Sequence, residues 1–299
     1  MNNKKLPYLN IISHLSLLTA GVIWAASGPI IKLTLQHVPA GTFLFFRFLL
    51  VCILLLPFLI IELKKVNYSK TDIINIIIIG LLSQSSLYVL FISYKYTGAL
   101  DVTIIGVMAA IASIWLGNHF YKEKIDKKLT IGLILAILGT FIVVIEPVMK
   151  EFTLNVNMHQ KIFGNFMAIL YNVFWVAYLV FSKIIMGKRS LNLKKDLSVL
   201  GIKKGKNNIK PFIITATSFY VGLATMIPVA IYEYLNNDVY FNILNISTTG
   251  LFGILYMAFF GSIVGYIAYQ FGLKFVKISD TAIYGYLQPV LTIPFAYYL

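Results

Sequence analysis

Apolar and polar positions along this chain fall into long blocks. Nine runs of mostly apolar residues lie near 12–35, 41–61, 72–94, 98–118, 130–148, 162–186, 212–234, 247–272 and 280–299. Each has about the 20 residues that cross a bilayer as a helix. The gaps between runs are short, so neighbouring spans must run antiparallel. One gap, Gly187–Lys210, is long and basic. Backbone groups in lipid must bond within their own segment or a closed barrel. The pattern therefore predicts an all-α, multispan membrane protein.

Composition agrees. The chain is 59% hydrophobic and only 12% charged, with 22 Phe and 19 Tyr and a mean hydropathy of +0.83. A soluble surface needs more charge than that. The lone Cys52 excludes a disulfide framework. The Lys4–Lys5 start followed by a long apolar run reads as a first span, because the run exceeds a signal peptide's core.

The formal net charge of +14 would suggest nucleic acid in a soluble protein. Here the basic residues sit in the gaps. With the N-terminus placed in the cytoplasm, 19 of the 25 Lys and Arg lie in cytoplasmic segments and three outside. The other three, Lys32, Arg47 and Lys183, lie within spans. This is the positive-inside bias of a multi-pass protein of the cytoplasmic membrane. No basic-aromatic interleaving of a nucleic-acid groove is present.

Parts of the chain recur. Trp24 is followed eight residues later by Lys32, and Trp175 by Lys183. The stretch from Tyr94 aligns without gaps on the stretch from Leu273, pairing Lys95 with Lys274, Asp101 with Asp280, Gly106 with Gly285 and Ile114 with Ile293. Two repeats are expected, 12–148 and 162–299, with 187–210 as a basic cytoplasmic loop in the second. An odd number of spans per repeat inverts the second copy in the membrane, an architecture common in secondary transporters.

On these paired Trp–Lys motifs, with Arg47 in `FFRFLL`, Pro289 in `YLQPVL` and Glu123 in `FYKEKI`, the chain resembles the ten-helix EamA branch of the drug/metabolite transporter superfamily. The resemblance implies two inverted five-helix repeats and transport of a small molecule. It also implies a tenth helix, whose counterpart would follow Leu299; the second repeat reads as truncated, as a fragment of a ten-helix protein or as a nine-helix variant, with nine spans in this sequence. The first copy has Ala110 where the second has Pro289.

Substrate-path candidates are Trp24, Lys32, Arg47, Gln84, Ser85, Tyr88, Tyr171, Asn172, Trp175, Lys183 and Gln288. Each is awkward against lipid: an indole N–H, a charge or an amide needs a partner there. Each also has a plainer reading. The lysines can snorkel to an interface, the serines can bond carbonyls one turn back, and the tryptophans can simply pack. Gly106, Gly261, Gly265, Gly285 and Pro289 read as helix-packing or hinge positions. Asp101 and Asp280 begin spans and suit helix N-termini.

His14, His37, His119 and His159 are scattered, with no metal-ligand spacing, and no glycine-rich phosphate loop occurs. Neither a metal nor another cofactor is expected. The function expected is a secondary transporter moving a small metabolite, amino acid or drug-like solute by alternating access. Proton or other ion coupling and a homodimer stay open. The alternative is a multispan protein with an enzymatic or scaffold role.

Overall fold

The computed structural model describes residues 6–121, 158–187, 205–236 and 246–298, together with 130–132, 134, 135, 138, 139 and 142. Eight long helical spans are fully traced. They are α1 (Leu6–Thr34), α2 (Ala40–Leu63), α3 (Lys70–Tyr96), α4 (Ala99–Tyr121), α5 (Met158–Ile185), α6 (Pro211–Asn236), α7 (Thr248–Phe275) and α8 (Ile278–Tyr298). The described residues between 130 and 142 are helical too, where the fifth predicted span falls. The rest of that span, Glu123 and 188–204 of the basic segment lie outside the described residues.

Seven of the long helices are apolar and long enough to cross a membrane. On α2, one face buries Phe43, Leu44, Phe48, Val51 and Leu55, while Ile53, Leu56, Phe58 and Ile61 point outward. Water would penalise that outer face, and acyl chains do not.

Two spans are interrupted at matching places. α3 runs through Lys70–Gly80, a π-helical segment Leu81–Ser85, and Leu87–Tyr96. α7 runs through Thr248–Tyr256, a π-helical segment Met257–Val264, and Gly265–Phe275. Such segments shift backbone carbonyls out of register and gather at functional sites. α5 ends on Gly187, whose φ of +91° is the left-handed cap that only glycine adopts without strain.

Packing repeats across the molecule. α1 lies against the second half of α7 and against α8, while α5 lies against the second half of α3 and against α4. α4 meets α8, and α2 meets α6. The α2–α6 pair is antiparallel. Gly41 abuts Val229 near one end, Phe48 packs at a tilt against Phe219 in the middle, and Lys210 bonds Glu62 at the other end, 2.6 Å away.

Lysine contacts repeat as well. Lys32 Nζ donates to the carbonyl of Thr97, which ends α3. Lys183 Nζ donates to the carbonyl of Val276, which ends α7. Thr97 and Val276 are equivalent in the sequence repeat. A cation on the last carbonyls of a helix complements its dipole. Lys183 is only 2% exposed. Snorkelling is therefore not how it is accommodated; its ammonium is held inside the protein.

Candidate functional site

A cavity of about 150 Å³ opens between the two packing groups. A void of this size holds about five waters or one benzene-sized ring, hence a small solute. α1, α3, α4, α5, α7 and α8 wall it, and α2 contributes Arg47. Trp24, Arg47, Tyr171, Asn172, Trp175 and Gln288 are the sequence candidates that line it.

The repeated tryptophans touch. Their rings meet edge to face, centroids 5.5 Å apart at 86°. Tyr269 lies 5.1 Å from Trp24 and 5.3 Å from Trp175, and Tyr266 lies 5.1 Å from Trp24. Aromatic pairs of this geometry contribute about 0.5–1.5 kcal/mol each beyond area burial. The α7 interruption supplies a partner for one indole: Trp24 Nε1 donates to the Gly261 carbonyl at 3.0 Å. Gly265 lets that indole approach, since a Cβ there would sit 2.8 Å from Trp24 Nε1.

Arg47 is 1% exposed. Its Nε donates to Ser262 Oγ at 2.7 Å, and Ser262 Oγ donates to the Met257 carbonyl at 2.8 Å. The second interruption thus anchors the guanidinium. Nη1 has no hydrogen-bond partner. Ser83, the equivalent of Ser262 in α3, meets no such cation, because α6 contains neither Lys nor Arg. Among the described residues lining the cavity, Arg47 carries the single fixed charge.

The wall's small hydroxyls are turned to their own helices. Ser27 donates to Ile23, Thr103 to Leu100, Ser113 to Ala109 and Thr281 to Ile278, all to backbone carbonyls. Asn172 Nδ2 donates to the carbonyls of Ile105 and Ala168 at 3.1 and 3.0 Å, tying α5 to α4. The surface left for a solute is largely aromatic, with tyrosine hydroxyls, the Gln288 amide and one cation.

Other candidates stand elsewhere. Gln84 is fully buried against α6, where a Cβ on Gly222 would lie 2.6 Å from its own Cβ. Ser85 Oγ is 2.7 Å from Thr225 Oγ1 of α6. Tyr88 is half-buried against the apolar core. Together with Lys32 and Lys183 at their helix ends, these do not line the cavity. Gly285 meets α4 closely, with 2.9 Å from a Cβ there to that of Ala110. Gly106, expected as a packing or hinge position, makes no close packing contact: a Cβ there would have nothing within 4 Å, and the residue lines the cavity. Gly261 and Pro289 lie outside the lining.

Tyr266 and Tyr269 were missed by the sequence reading. They sit three apart in `GYIAYQF`, on one helical face. Their counterparts in the first repeat are Leu87 and Leu90, so doubling gave no signal there. No group of three His, Cys, Asp or Glu suited to a metal occurs among the described residues.

Lipid-facing helices around a buried, nearly uncharged cavity define a multi-pass membrane protein built for transport. The EamA-like transporter family model matches residues 11–145 and 197–299, and the chain belongs to that family. A second model, Magnesium transporter NIPA, matches residues 88–203. The chain is 26% identical over 292 residues to an uncharacterized transporter of Archaeoglobus fulgidus, covering 97% of this chain and 90% of that one. It is 24% identical over 290 residues to the uncharacterized transporter YyaM of Bacillus subtilis, covering 95% and 84%. A solved crystal structure at 11% identity superposes with TM-score 0.60 over 96% of this chain and 88% of its own, a likeness of fold.

Proposed function

We propose that this protein is a secondary carrier of the cytoplasmic membrane, with its N-terminus inside and its two halves inverted, moving a small organic solute through the Trp24–Trp175 cavity by alternating access. The observation that carries this reading is the position of the cavity. It lies where α1, α7 and α8 meet α5, α3 and α4, with the repeated tryptophans in contact across it. Rocking one group against the other would open the cavity first to one face and then to the other. Such work requires differential binding to two conformations and no covalent step.

A divalent cation fits this cavity poorly. Magnesium takes oxygen ligands and carboxylates, whereas the described lining offers Arg47 and no carboxylate.

The test is uptake of a metabolite panel into proteoliposomes, with Gly106→Leu beside the wild type. A Cβ there enters open space, and the rest of the side chain takes up room in the cavity that Gly106 lines. The carrier reading predicts loss of uptake with normal membrane insertion. Unchanged uptake by the Leu variant would refute it.

A further inference from the structure

We infer that the cavity is built for an organic monocarboxylate with a flat apolar body, its carboxylate on Arg47 and its body among the aromatic rings. This rests on the carrier reading and adds the chemical class of the cargo.

The first observation is an unbalanced buried charge. Arg47 is 1% exposed, and no acid pairs with its guanidinium among the described residues. Its position is fixed through Nε and Ser262, Nη1 is buried without a partner, and the side chain borders the cavity. A guanidinium does not deprotonate in proteins. Burying it without a counter-charge is costly, and the cost is offset when an anion arrives. Charge-assisted bonds from a guanidinium to a carboxylate are among the stronger polar contacts.

The second observation sets the charge number. With one fixed cation in the described wall, a monoanion brings the loaded site to neutrality. A dianion would leave it at −1. A zwitterion would leave it at +1, with an ammonium that no wall carboxylate receives. The lining serine and threonine hydroxyls do not compete as donors, since the hydrogens of Ser27, Thr103, Ser113 and Thr281 are committed to backbone carbonyls.

The third observation sets the body. Trp24, Trp175, Tyr171, Tyr266 and Tyr269 form one continuous ring cluster beside Arg47, with neighbouring centroids 5.1–6.3 Å apart. Such faces take a planar apolar group by stacking or edge contact. The volume admits one ring and a short chain.

The experiment compares three ligands that share a phenyl ring and differ in charge: 3-phenylpropionate, phenylalanine and 2-phenylethylamine. Binding to purified protein is read from tryptophan fluorescence, and transport from counterflow in proteoliposomes. The expected result is 3-phenylpropionate binding at least about tenfold more tightly than phenylalanine, with the amine weakest. Arg47→Gln should erase that advantage, and Arg47→Lys should keep the order with weaker binding.

Equal or tighter binding of phenylalanine or the amine to wild-type protein overturns the proposal. So does a folded Arg47→Gln protein that keeps the anion preference, or the absence of 3-phenylpropionate binding at millimolar concentration. The wild-type ligand order decides the matter even if Arg47→Gln fails to fold. If solutes are carried and Gly106→Leu blocks them without any anion preference, the cargo class is wrong and the carrier reading stands. If Gly106→Leu leaves counterflow intact, the carrier reading itself falls.

Discussion

Glu233 gives the sharpest stability prediction. α2 starts at Ala40, and its N-cap residue, Pro39, has no side-chain cap. The cap comes from another helix. Glu233, near the end of α6, accepts from Gly41 N at 2.9 Å, Thr42 N at 2.8 Å and Thr42 Oγ1 at 3.1 Å. Loss of a capping side chain costs about 0.5–2 kcal/mol. Loss of a negative charge from a helix N-terminus adds about 0.3–1 kcal/mol. Glu233→Ala should therefore destabilise by about 1–3 kcal/mol. Glu233→Gln keeps an acceptor and loses the charge, so it should cost about 1 kcal/mol.

The other end of the α2–α6 pair supplies the control. Glu62 bonds Lys65 at 2.5 Å and Lys210 at 2.6 Å on an exposed surface. Such pairs contribute little, so Glu62→Gln should melt with the wild type. Cys52, the lone cysteine and only 4% exposed, provides the assay. A thiol-reactive dye labels it on unfolding, and heating the detergent-solubilised protein gives a Tm. Each kcal/mol should lower Tm by about 2–4 °C. Glu233→Ala melting with the wild type, or Glu62→Gln falling as far as Glu233→Ala, would refute the capping argument.

Three further outcomes follow from particular contacts. Gly222→Val puts a side chain where a Cβ already comes 2.6 Å from Gln84 and 3.0 Å from Phe48, so Tm in the same assay should fall by an amount matching about 1–3 kcal/mol of overpacking. Trp24→Phe releases the Gly261 carbonyl at about 0.5–1.5 kcal/mol, and initial rates should show transport falling further than membrane abundance. Leu193→Cys, in a Cys52→Ala background, should react with an impermeant thiol reagent in inside-out vesicles and not in intact cells, as the charge bias of the basic segment requires.

The spans were legible because lipid imposes a blunt rule on them: about 20 apolar residues, gaps holding the charges. Trp24, Trp175, Lys32 and Lys183 were visible as a doubled spacing; in the fold the two lysines make equivalent contacts and the two tryptophans meet each other. What doubling left open was the role of each residue. Lys32 and Lys183 serve helix ends through backbone carbonyls, and a carbonyl carries no sequence signature. Gln84 and Ser85 looked as eligible for the cavity as Arg47. The π-helical segment at Leu81–Ser85 lies against α6, and that rotation is absent from any periodicity count. The aromatic wall hides for a related reason. Tyr266 and Tyr269 are ordinary residues in an apolar helix until α7 is broken and turned toward Trp24.

The central claim is that one cavity serves both faces of the membrane in turn. Gly106→Cys in the Cys52→Ala background tests it most directly, because this position opens into the cavity with nothing within 4 Å of a Cβ. The rate of reaction with a small impermeant thiol reagent is measured in right-side-out and in inside-out vesicles. The account predicts reaction from both sides, with a transported solute protecting the thiol in each orientation. Reaction from one side alone, or none from either, would contradict it.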